Sequence, residues 1–178
     1  VAIASQPLSL SQLREDILSP LTQADLIEAL ESLLRRSLVE RTTGEGETQF
    51  SLQQPVVTQY IIDLAIERIC EEIQEVAKSK KLEKLELLRS HALMRRNELN
   101  EEVRAMQERL ILAPIADKLC RIFRDESLLE EKLTTILSVL QGKTPLAIGY
   151  AKENINRLLT TLKSASSVQS LIQTSETL

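Results

Sequence analysis

The chain has 178 residues, of which 43% are hydrophobic and 27% charged, a balance that suits one folded domain or two small ones and excludes a disordered tail. No apolar run approaches the roughly 20 residues that span a bilayer, so no membrane partner is expected. With 22 Lys and Arg against 26 Asp and Glu, the net charge of −4 opposes nucleic acid as a partner. Aromatic residues are only 2% of the chain and Leu dominates, which predicts helices packed through aliphatic stripes.

Ser9 is a plausible N-cap for a first helix carrying Leu10, Leu13 and Ile17. Ser19-Pro20 ends it, because a residue before proline avoids the helical region. Thr22 offers a second N-cap, with Asp25 three residues on, and Leu26, Leu30, Leu33 and Leu34 form the inner face of the helix that follows. Leu38–Thr42 and Gln49–Leu52, around Gly44-Glu45-Gly46, read as a β-hairpin. Helix, turn, helix, hairpin is the order of a winged helix, assigned here to residues 1–54.

From Pro55 the pattern is helical. Ile62, Ile66, Ile69, Ile73 and Val76 line one face, suited to an internal core or to a dimer. A charged break at Lys78–Lys81 precedes Leu82, Leu85, Leu88 and Ala92. Leu99, Val103, Met106 and Leu110 carry the next stripe, which Ile115, Leu119 and Ile122 continue past Pro114, where the helix should kink or restart. Leu129, Leu133, Ile136, Leu137 and Leu140 form a helix ending near Gly142, and Ile155, Leu158, Leu159 and Leu162 form the last. The fold class is therefore mainly α, with a winged helix followed by a helical bundle or connector over residues 55–163. Residues 164–178, rich in Ser, Gln and Thr, read as a flexible tail or linker.

No catalytic constellation emerges. Gly142-Lys143-Thr144 resembles the end of a phosphate-binding loop, but Leu137 stands where that loop needs its first glycine, so a helix cap is the better account. His91 is the sole histidine, with no Cys or acid at ligand spacing, which predicts a structural residue and no metal site. Glu71-Glu72 and Glu101-Glu102 are adjacent helical residues that diverge and read as solvated faces. Cys70 and Cys120 form no CxxC and predict reduced thiols in a cytoplasmic protein. Ile3 to Gln6 is too short and too polar for a signal peptide, and Val1 in place of Met suggests a fragment or a processed start.

Two charged surfaces remain as docking candidates. Across residues 20–52 six acids outnumber Arg35, Arg36 and Arg41. The outward face of the second helix, with Asp25, Glu28, Glu31 and Arg35, would therefore repel phosphate. Residues 78–96 are basic, with Lys78, Lys80, Lys81, Lys84, Arg89, Arg95 and Arg96, but lack aromatic residues on which bases stack. Lys80, Lys81 and Lys84 fit a solvated face or a dock for an acidic helix.

The runs Pro7–Pro20, Leu26–Glu40 and Phe50–Tyr60 resemble the winged-helix segment of bacterial STAND-type NTPases, which carry an NB-ARC domain and frequently end in WD-repeat propellers. Leu110–Asp117 and Gly149-Tyr150-Ala151, with Asn154 and Asn156, resemble the helical connector to the repeats, so the likeness spans roughly residues 3–162. The phosphate-binding loop and acidic metal-binding strand of the ATPase are absent, as are the repeats, and the helix that opens the winged domain is cut at Val1. The resemblance implies a non-catalytic regulatory module without cofactor or small-molecule substrate. Its partners would be the NB-ARC and WD-repeat domains of the same parent chain. No winged-helix histidine is available to touch a nucleotide. An aliphatic patch near Val1–Leu10 and another near the last helix should then be exposed. The alternative is a DNA-binding transcription regulator that dimerises through its long helices.

Overall fold

Capping chemistry sets the first two helices. The computed structural model describes residues 2, 6–17, 22–44, 46–94 and 100–175, with side chains as far as Ser164. Helix α1 (Leu10–Asp16) starts in a capping box: Gln12 N donates to Ser9 Oγ at 3.3 Å and Ser9 N to Gln12 Oε1 at 2.9 Å. Helix α2 (Gln23–Arg35) repeats the device with Thr22 and Asp25. Both caps are where the sequence places them. The break expected at Ser19-Pro20 lies outside the described residues.

Strands β2 (Val39–Gly44) and β3 (Glu47–Leu52) form the expected hairpin, paired from Val39 with Leu52 to Gly44 with Glu47. Gly46 takes a φ of 85°, in the left-handed region that glycine enters without steric penalty. A two-residue strand β1 (Leu8–Ser9), too short to leave a periodic trace, pairs with β3 and gives the antiparallel order β1-β3-β2. Leu8, Leu13, Leu26, Leu30, Val39 and Phe50 pack together as a small core. Leu33, assigned to the inner face, is instead exposed, because Leu30 and Leu34 already fill the side of α2 turned to that core.

Helix α3 (Pro55–Ser79) begins at Pro55, whose missing N–H is no loss in a first turn. Its Ile62, Ile66, Ile69, Ile73 and Val76 are buried in a larger core, so that stripe serves the interior rather than a dimer. Lys80, at a φ of 57°, closes the helix by donating its N–H to Val76 O at 2.8 Å. A 3-10 turn (Leu82–Lys84) and a single turn of helix α4 (Leu87–Ser90) follow, with Leu85 and Leu88 fully buried.

Helix α5 (Glu101–Gln107) passes through a π-helical turn (Glu108–Leu112) into α6 (Ala113–Phe123). Pro114, at the start of α6, has no N–H for the carbonyl four residues back, and the wider turn ahead of it accommodates that loss. The kink or restart expected there takes this form. Ile122 is exposed rather than part of the buried stripe, and Leu99 lies outside the described residues. Helix α7 (Glu126–Gln141) is capped by Gly142, the short α8 (Pro145–Ile148) by Thr144. Helix α9 (Ala151–Ser175) continues through residues that the sequence suggests are a flexible tail, although the side chains of Val168, Leu171 and Ile172 lie outside the described set.

Helix α6 packs against α3, α7 and α9 around the larger core. The chain is thus mainly helical with a small three-stranded antiparallel sheet. Among the described residues no helix is long and apolar enough to cross a membrane.

Candidate functional site

Buried polar groups form a clasp around residues 87–93, built by α3, α9 and the turn before α9. Gly149 has φ 53° and ψ −131°, and an added Cβ would overlap the Arg89 carbonyl oxygen. That close approach lets Tyr150 N donate to Arg89 O at 3.0 Å. One turn later Asn154, 1% exposed, spends its whole amide on the same segment. Its Oδ1 accepts from Leu93 N at 3.0 Å, and its Nδ2 donates to Leu88 O and His91 O, each at 2.8 Å. Such a segment has little regular structure of its own, so its backbone groups need these side-chain partners.

Glu72 holds the other side. The sequence suggests a solvated Glu71-Glu72 pair, but the helical step turns Glu72 inward, where it is 3% exposed, while Glu71 stays in water. Its carboxylate accepts from Leu87 N at 2.8 Å and Leu88 N at 3.2 Å, at the start of α4, with Arg68 Nε at 3.9 Å. Burial pushes the Glu72 carboxyl above its ordinary range, against the opposing pull of the two amides and Arg68.

The clasp also reaches the small core. The Tyr150 hydroxyl donates to Glu15 O at 2.9 Å, and Ile17 makes an antiparallel bridge with His91. Tyr150 itself is 5% exposed. His91 is half-buried, with Nδ1 at 2.8 Å from Ser90 Oγ, and burial holds its imidazole below the ordinary value. Gly149, Tyr150 and Asn154 stand out in the sequence only through the family phrase, which gives them no role. Asn156 of that phrase is exposed on α9.

The two docking candidates are separate surfaces. On α2, Asp25 is occupied by capping: its Oδ2 accepts from Thr22 N at 2.8 Å and Thr22 Oγ1 at 2.7 Å. Those bonds hold its carboxyl below the usual carboxylate range. Glu31 and Arg35 face each other at 4.0 Å, and Glu28 is exposed beside them. At the far end of α3, Lys80, Lys81 and Lys84 are exposed together, with Lys84 Nζ 3.4 Å from Glu75. No ion pair among the described residues joins the two sets. Arg95 and Arg96 of the basic stretch lie outside the described residues. Of the aliphatic patches expected near Val1–Leu10 and near the last helix, the first falls partly outside the described residues, while Leu146, just before the last helix, is 92% exposed. Leu8, Ile155, Leu158 and Leu162 are buried, and Val56, Tyr60, Ile61 and Leu64 on α3 are further exposed apolar residues.

No protein-family model matches the chain, and no solved structure matches it. The chain is similar to an uncharacterized WD repeat-containing protein of Nostoc sp. (strain PCC 7120), 32% identical over 89% of this chain. The likeness fits a WD-repeat context. The chain spans 14% of the length of that relative.

Proposed function

We propose that this chain is a non-catalytic coupling module. Residues 1–54 act as a winged helix and residues 55–163 as a helical connector, within a longer STAND-type parent carrying an NB-ARC ATPase domain and WD repeats. The single observation that carries the reading is the clasp. Tyr150 and His91, from the helical part, bond to the backbone of Glu15 and Ile17 in the small part, so a displacement of one core is felt by the other. The WD-repeat relative supports the parent chain, and the β1-α1-α2-β2-β3 order supports the winged helix. In this role the acidic α2 face and the basic end of α3 meet neighbouring domains, and no substrate or cofactor is bound.

The test is the size of the native product, by immunoblot of the source cells with an antibody to this segment. A band several times the 20.1 kDa of the chain, containing an ATPase and repeats, is expected. A band near 20.1 kDa would sink the coupling role. Salt-sensitive, sub-micromolar binding of duplex DNA, read by fluorescence anisotropy, would replace it with the regulator.

A further inference from the structure

We infer that the cavity between α3 and the clasp segment binds a small, single-ring apolar molecule carrying one hydrogen-bond donor, such as a phenol. The cavity measures about 240 Å³. Ile62, Ala65 and Ile69 of α3 form one wall and Leu87 and Leu93 of the clasp segment the other, while Ile111 and Ala2 add to the apolar lining. Ile61, also in the lining, is exposed, so the cavity opens to water along α3. An apolar cavity of about 150 Å³ holds one benzene ring, which leaves room here for a ring with a short substituent. Water is a poor occupant, because it needs roughly two to four polar partners.

His91 selects the donor. Among the described residues of the lining, it alone carries a hydrogen-bonding side chain. Ser90 Oγ lies 2.7 Å from Glu86 O and 2.8 Å from His91 Nδ1. The serine has a single proton, which the shorter contact to the main-chain carbonyl takes, so the imidazole carries its own proton on Nδ1 and donates it to Oγ. Nε2 is then a bare acceptor, with no partner among the described residues. Burial favours this neutral form over the imidazolium. A ligand that covered Nε2 without donating to it would strand the acceptor, whereas an O–H or N–H on the ring satisfies it. A carboxylate finds no cation in the lining to receive it. The occupant is a ligand and not a substrate, and with the clasp segment as one wall it braces that segment against α3. This inference stands independently of the coupling role.

Titration of the 178-residue chain with p-cresol and with toluene, followed by amide NMR, tests it. p-Cresol should give saturable shifts at residues 61–69 and 87–93, and toluene should bind about tenfold more weakly. His91→Phe keeps a ring on the wall but no acceptor, and should erase that preference. Ala65→Leu fills the cavity and should abolish binding of both probes, with circular dichroism unchanged. An absence of saturable shifts with either probe would overturn the proposal. So would equal affinity for the two probes, a preference that survives His91→Phe, or binding that survives Ala65→Leu.

Discussion

Gly149 is the position where a single methyl group does most damage. Its backbone lies in a region that L side chains avoid, and the added carbon would meet the Arg89 carbonyl rather than a side chain able to swing away. Gly149→Ala should lower stability by about 3 kcal/mol, measured by urea unfolding. At Glu72 the argument concerns protons. Its carboxyl is raised in the folded state by burial, so the folded chain holds that proton more tightly than the unfolded chain does. Stability from this group is fully present below the ordinary value of 4.5 and falls as pH rises from there through the raised value. Glu72→Gln removes the titration, so the advantage of the wild type over the variant should shrink across that window. A set of urea melts at stepped pH would show it, and an advantage growing with pH would contradict it.

Helix α3 carries opposite demands on its two sides. Ile73 is fully buried, and Ile73→Ala should cost about 3 kcal/mol through lost transfer energy and the cavity left behind. Leu64→Ala, on the water side, should stay within about 0.5 kcal/mol in dilute solution. Thermal melts of the two variants side by side would check the contrast. Elements of this kind were legible because their signals are local: Ser9 and Thr22 as caps, Pro55 as a helix start, Gly142 as a stop, and the isoleucine repeat as a buried face. What α3 packs against was not local. Glu72 meets Leu87 and Leu88 only after the chain reverses, and Asn154 reaches residues 61 to 66 positions earlier in the chain. No spacing rule covers such distances, so the clasp was visible as a phrase without a function. The π-helical turn lay in between: Pro114 announced a disturbance, but its form depends on how α5 and α6 are held.

Across the whole molecule, two cores share one chain, and the Tyr150–Glu15 bond and the Ile17–His91 bridge are among the contacts that join them. Tyr150→Phe keeps the ring packed and deletes the hydroxyl with its bond to Glu15, a loss of about 1 kcal/mol. Hydrogen exchange should then quicken at amides of residues 8–52 while those of α6, α7 and α9 change little. Equal acceleration everywhere would mean that the hydroxyl supports global stability rather than the link. The placement of this residue also has a spectroscopic consequence. The chain has two tyrosines and no tryptophan, so its intrinsic near-ultraviolet emission comes from Tyr60 and Tyr150 alone. One ring stands in water on α3 and the other is sealed in the clasp. An aqueous quencher such as iodide should therefore extinguish one emitter and spare the other, and the spared fraction becomes a label-free gauge of whether the two halves remain joined.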